Sequence, residues 1–296
     1  MNKKKLIVFI CILFGISFGT GAVFLLSGAY KNPLVFQLFA MVYMLFPFVS
    51  AVITQKAVFK QPLAPALLLK GRFSLWWVLA AFLPFFLVSA TLLVALVFPG
   101  TSLSLTMEAY YAAMDENTRN ATEAAFEALP FHPLWMMAIN AVLAGITLNA
   151  LFAFGEETAW RGLLLTELKS LGFWKASFAI GLLWGPWHAP LTLAGHNYPS
   201  TPLLGILMMT VFCMLLSPLL CFITIKAKTI YPAAFFHGVM NATAGIGLIL
   251  VAGGNPELIN GITGVAGFIV LGCINLVLYF CTRKTINQSF ADSVSR

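Results

Sequence analysis

Charge is scarce in this chain. Asp, Glu, Lys and Arg make up 9% of its 296 residues, where a soluble domain carries roughly 25%. So few charges cannot cover a water-facing surface. The five cysteines, Cys11, Cys213, Cys221, Cys273 and Cys281, form no CxxC or zinc-type spacing, which excludes a disulfide framework and a zinc ribbon. All five fall in apolar stretches and read as small packing residues. The chain has no H-E-x-x-H, the mark of a zinc protease helix. No aspartate lies in an apolar span, and no internal repeat is visible. The missing repeat counts against a transporter built from paired broken helices.

What is present is hydrophobic, 60% of all residues. The apolar residues come in runs of about 20, the length that crosses ~30 Å of hydrocarbon. The runs fall at 6–27, 34–54, 75–98, 134–157, 173–193, 203–225, 230–252 and 261–281. The expected fold is therefore all-α: a polytopic membrane bundle of about eight transmembrane helices, one membrane domain over 1–296. Lys3-Lys4-Lys5 ahead of the first run, and Ser27-Gly28-Ala29 after it, resemble a signal peptide. The run of about 22 apolar residues exceeds the usual 7–15 of such a segment, so it reads as a retained helix. Gly15 with Gly19, and Gly181 with Gly185, have the small-xxx-small spacing that lets membrane helices approach.

The net charge of +7 is a signal of topology. With alternating spans and a cytoplasmic N-terminus, Lys31 and Arg119 fall outside and the other fifteen of the 17 Lys and Arg, Arg296 included, fall on or near the inner face. Such a bias sets orientation. Both termini are then cytoplasmic, and attraction to anionic lipid follows as a by-product; no nucleic-acid partner is expected. The inner segment 55–74, with Pro62 and Pro65, reads as a surface linker. The outer segment 99–133 carries an Ala- and Glu-rich stretch, 106–128, that predicts an amphipathic helix.

Polar residues inside the spans carry the chemistry, because charge at bilayer depth is costly and persists mainly where it has a function or a partner. In Gly155-Glu156-Glu157-Thr158-Ala159-Trp160-Arg161, Glu157 and Arg161 are one helical turn apart, in the favourable acid-before-base order. Glu156 points about 100° away, without that partner. Two neighbouring carboxylates in different environments are a pattern for acid/base work. The plainer reading is an interfacial ion pair with Glu156 wetted by the cytoplasm. In Trp184-Gly185-Pro186-Trp187-His188-Ala189-Pro190, the two prolines break the helical ladder around His188. Irregular backbone at that depth is buried in protein or lines a wet cavity. In His237-Gly238-Val239-Met240-Asn241, His237 and Asn241 share one helical face. Each histidine alone could equally make one interhelical bond. His132 and His196 fall in outer loops and need no special role.

Together these residues suggest one cavity in the cytoplasmic half of the bundle. Glu156 and His188 can take a proton from water; His237 and Asn241 can donate to the oxyanion of a tetrahedral intermediate. Depth poses a difficulty. At 1.5 Å per residue, His237 lies ~10 Å and His188 ~20 Å from the inner ends of their spans, and Glu156 lies near the inner end of its own. Zinc is an alternative: Glu156, His188 and His237 could form a His₂Glu set, at the cost of a less available base, so metal-independent hydrolysis is preferred and no cofactor is required.

The order EExxxR, aromatic-xxx-H, HxxxN resembles the CPBP family of intramembrane proteases, which includes the type II CAAX prenyl endopeptidases and bacterial bacteriocin-processing or immunity proteins. The matching residues are Glu156-Glu157 with Arg161, Trp184 with His188, and His237 with Asn241, so 150–245 forms the protease-like core. Trp184 stands where the family often has Phe. The resemblance implies catalytic roles for Glu156, His188, His237 and Asn241 and supporting roles for Glu157 and Arg161. It also implies an eight-helix bundle with a cavity open to the cytosol, and a membrane-anchored protein or peptide as substrate. A non-catalytic immunity or peptide-binding role, or transport, are the competing readings.

Overall fold

The computed structural model describes residues 1–111 and 114–293. Its main helices are α1 (Lys3–Leu26), α2 (Pro33–Val58), α3 (Leu75–Ala95), α4 (Glu116–Glu127), α5 (Pro133–Glu167), α6 (Phe173–Trp187), α7 (Ala189–Leu193), α8 (Pro202–Ala227), α9 (Tyr231–Ile249), α10 (Pro256–Thr282) and α11 (Ile286–Ser293). Among the described residues, the strands are one short antiparallel pair, Thr101–Leu103 with Val251–Gly253. The molecule is an all-α membrane bundle. Its outside is apolar: Ile7, Leu26, Leu34, Phe82, Leu93, Leu203 and Phe280 are all more than half exposed. In water that surface would be a large liability; in lipid it is the solvated face.

Six helices are long and apolar enough to cross a membrane, α1, α2, α3, α5, α8 and α10, rather than about eight. The two expected spans that drop out are those of α6 and α9, which carry His188 and His237. In α6, Pro186 cannot donate to the Leu182 carbonyl, and Pro190 cannot continue the ladder past His188. His188 N instead closes a tight turn on Gly185 O, and α7 starts afresh. In α9, His237, Asn241 and several small residues dilute the hydropathy. α6 packs along α8, and α9 along α3 and α5.

Several expected boundaries move. The fourth span runs on from 157 to Glu167, because Arg161, which looks like a membrane stop, is fully buried against Glu157. The outer helix begins at Glu116 rather than near 106, since Asp115 caps it by accepting from Thr118 N; a short turn, Glu108–Tyr111, precedes it. Residues 112 and 113 of that expected helix lie outside the described residues, as does Arg296. The segment 55–74 is more than a surface linker: Leu67 and Leu68 are buried, and Leu67 abuts Gly162 of α5.

Contacts define the two ends of the bundle. At one end Lys5 Nζ bonds Glu167 (2.7 Å) and Gln61 (2.8 Å), Thr229 Oγ1 donates to Leu68 O, and Phe173 N donates to Asn287. At the other, Ser200 and Thr201 donate to Glu257, Tyr198 OH donates to Thr263 O, and the strand pair closes. The first end carries Lys3–Lys5, Lys56, Lys60, Lys70, Arg72, Lys169, Lys175, Lys226, Lys228, Arg283 and Lys284; the second carries Glu108, Asp115, Glu116, Glu123, Glu127 and Glu257. These are the basic and the acidic end below.

Candidate active site

The central segment of α5, Gly155 to Leu165, is buried without interruption. A helix in contact with lipid on one side would show a gap every few residues, so this stretch is surrounded. Wide, π-type turns follow Glu157, over Thr158–Leu164, a distortion that often accompanies function. Both carboxylates are thus inside the protein: Glu156 is 2% and Glu157 0% exposed. The wetted-interface reading of Glu156 does not hold.

The carboxylates have different partners. Glu156 Oε2 accepts the indole N–H of Trp184 at 2.7 Å and of Trp160 at 3.3 Å. Glu157 Oε1 accepts from Arg161 at 3.0 Å and faces His237 Nδ1 at 2.9 Å. The Arg161 guanidinium lies 4.3 Å over the Trp184 ring, a cation–π contact strengthened by desolvation. Trp184 is therefore edge-on to one carboxylate and face-on to the cation that neutralises the other.

The helices that bring these groups together meet through glycine. A Cβ on Gly238 would stand 2.3 Å from Gly145 O, so only glycine beside His237 lets α9 reach α5. Gly181 and Gly185 likewise seat α6 on the backbone of α8, as their spacing predicts; Gly15 and Gly19 face open space, and Gly21 makes the α1 contact, to Pro190. His188 sits at the break after α6. Its Nδ1 lies 3.0 Å from Trp184 O, which makes Nδ1 the donor and leaves Nε2 as the free nitrogen. The turn is anchored from two other helices: Tyr43 OH donates to Trp187 O at 2.7 Å, and Trp187 Nε1 donates to Ser17 Oγ at 2.8 Å.

Glu156, Trp184, His188, His237 and Asn241 line one cavity of about 420 Å³. Glu157 and Arg161 lie beneath its floor. The depth difficulty is resolved chiefly by the extension of α5, which puts Glu156 well inside its helix. Asn241 is exposed, lines the cavity, and its side chain has no hydrogen bond among the described residues. His196, expected to be a bystander, lines the cavity near its mouth, whereas His132 bonds Leu105 O and caps α5. Trp160 was legible in principle, one helical turn from Glu156; Tyr43 and Ser17 carry no local signal. Cys213 and Cys221 are buried as expected, but Cys11, Cys273 and Cys281 are exposed on the outside of the bundle.

The cavity extends toward one end of the bundle. Its remaining wall includes His196, Asn197, Pro256, Glu257 and Thr263, all at the acidic end. Toward the basic end Leu67, Leu163, Leu164, Leu165 and Ile230 are buried and close the bundle. The cavity therefore runs toward the acidic end and away from the basic end.

Among the described residues no cluster of three His, Cys, Asp or Glu is placed to hold an ion, and no step is assigned to a metal.

The chain matches no curated protein. Residues 130–243, which hold every motif residue from Glu156 to Asn241, match the family model described as Type II CAAX prenyl endopeptidase Rce1-like, an intramembrane protease family in agreement with the CPBP resemblance of the motifs.

Proposed function

We propose that this protein is a CAAX-protease-like intramembrane endopeptidase that hydrolyses a peptide bond of a membrane-associated substrate with water activated by Glu156. The observation that carries this reading is a buried carboxylate held by two indole donors, with His188, His237 and Asn241 lining the same cavity. Oε1 of Glu156 takes no hydrogen bond from the described residues and is the oxygen left for water. Glu156, assisted by His188 Nε2, removes the water proton as its oxygen attacks the carbonyl carbon. The negative charge that develops on the carbonyl oxygen is met by His237 Nε2–H and Asn241 Nδ2–H. For His237 to donate from both nitrogens its ring carries a second proton, and the Glu157 carboxylate at Nδ1 is the counter-charge. The proton held by Glu156 then passes to the departing amine as the C–N bond breaks, and the new carboxylate and amine leave through the cavity.

The reaction needs no metal in this scheme. The test compares purified wild type with Glu156→Gln and His188→Ala on a panel of membrane-tethered peptides, with and without a strong zinc chelator. Cleavage that survives chelator and disappears in both variants is the expected result. Full activity in Glu156→Gln overturns the mechanism. Cleavage abolished by chelator moves the chemistry to a metal. No cleavage by wild type, together with tight binding of a panel peptide, favours a peptide-binding or immunity role.

A further inference from the structure

Charge and cavity point to opposite faces of the membrane. Thirteen Lys and Arg side chains lie at the basic end, against Lys31 and Arg119 at the other. The remaining cation of the described chain, Arg161, is buried at the site and contributes nothing to topology. The acidic residues reinforce the bias: six are at the acidic end, while Glu167 and Asp292 are at the basic end, where Glu167 is paired with Lys5. A distribution this uneven puts the basic end in the cytoplasm.

The cavity runs the other way. From Asn241 its wall climbs α9 through Ala244 and Gly245 to Leu248, roughly 10 Å at 1.5 Å per residue. It emerges among Asn197 and Pro256, both exposed, at the acidic end. Gly245 is itself exposed, and an added Cβ there would meet nothing within 4 Å. Beneath the floor the chain is solid, with Arg161, Leu163, Leu164 and Leu165 at most 1% exposed. Water and peptide thus have an open path to Glu156 from the acidic end and a packed barrier from the basic end.

We propose that substrate enters from the extracytoplasmic face, so that the bond cut lies in a peptide segment displayed on, or emerging from, the outer side of the membrane. The hydrolytic step rests on the function proposed above; the direction of entry rests on charge and cavity alone. A lipid-modified tail held in the cytosol has no route to this floor. The substrate class is therefore an exported or membrane-spanning polypeptide with its target segment outside.

The test labels two single substitutions, Gly245→Cys on the cavity wall and Lys284→Cys at the basic end, with a membrane-impermeant maleimide. Intact-mass measurement reads the label added beyond that of the parent chain with its native cysteines. Gly245→Cys is expected to gain one label in intact cells, and Lys284→Cys only after the membrane is opened. Label on Lys284→Cys from outside, or a Gly245→Cys that reacts only after opening or never, overturns the proposal. A second arm displays the tethered peptides on either side of the membrane. Cleavage confined to the outward display supports outer entry, and cleavage of the inward display overturns it. If neither is cut, the hydrolytic reading suffers, and the labelling still decides the direction of entry.

Discussion

Trp184 donates its indole N–H to Glu156 at 2.7 Å and so ties α6 to α5 at the floor of the cavity. A hydrogen bond to a charged group contributes about 1.5–3 kcal/mol, so this one contact holds the proposed base in place. Trp184→Phe keeps a ring face for Arg161 and removes the donor, while Trp160 remains 3.3 Å away. The single variant is expected to lose roughly 10-fold in kcat, since 1.4 kcal/mol corresponds to tenfold, and Trp160→Phe with Trp184→Phe to lose more than either alone. Steady-state kinetics on any cleaved panel peptide reads this; wild-type kcat in the double variant refutes the positioning role.

Glu156→Gln removes the base but keeps an oxygen that the two indoles can bond. The expected loss is about 10²–10⁴-fold in kcat, with little change in thermal stability. A large fall in melting temperature would mean that the carboxylate serves structure instead.

Among the described residues the Asn241 side chain has no hydrogen-bond partner, and it lines the cavity. Asn241→Ala is expected to lower kcat by about 10²–10³-fold, the usual range for one oxyanion donor, and to leave stability within error. A change confined to KM would assign Asn241 to ground-state binding.

Glu157 and Arg161 form a fully buried pair, both 0% exposed. Removing one partner strands the other charge, which costs about 3–5 kcal/mol. Arg161→Met is expected to unfold at markedly lower temperature, and Glu157→Gln with Arg161→Met to recover part of that loss. Double-mutant thermal melts in one detergent check the sign: a double variant less stable than both singles contradicts the pair.

Tyr43→Phe removes the bond to the Trp187 carbonyl, one residue before His188. About 1 kcal/mol of stability is expected to go, with a fall in kcat as the turn that holds His188 loosens. Ser17→Ala, which frees the Trp187 indole, should reproduce the kinetic effect. Unchanged kinetics in both variants would limit these contacts to packing.

The amino-acid sequence by itself determined the solvent and the three motifs. Few charges in long apolar runs admit only a membrane protein, the Lys and Arg bias separates a basic from an acidic end, and Glu156, His188, His237 and Asn241 stand out because polar groups are costly in lipid. The Glu157–Arg161 pair was legible for the same reason, from a spacing of four. Tertiary structure decided what local patterns cannot carry. An apolar count ends α5 before Arg161, because it reads the charge and not the carboxylate that neutralises it. It also treats α6 and α9 as ordinary spans, although Pro186 interrupts the first and His237 and Asn241 dilute the second. Trp160 and Trp184 became carboxylate donors, and Tyr43 and Ser17 became anchors of the His188 turn, through contacts between residues up to 170 positions apart. The end at which the cavity opens was decided last, because it depends on which helix ends pack shut against one another, and no single segment contains that information.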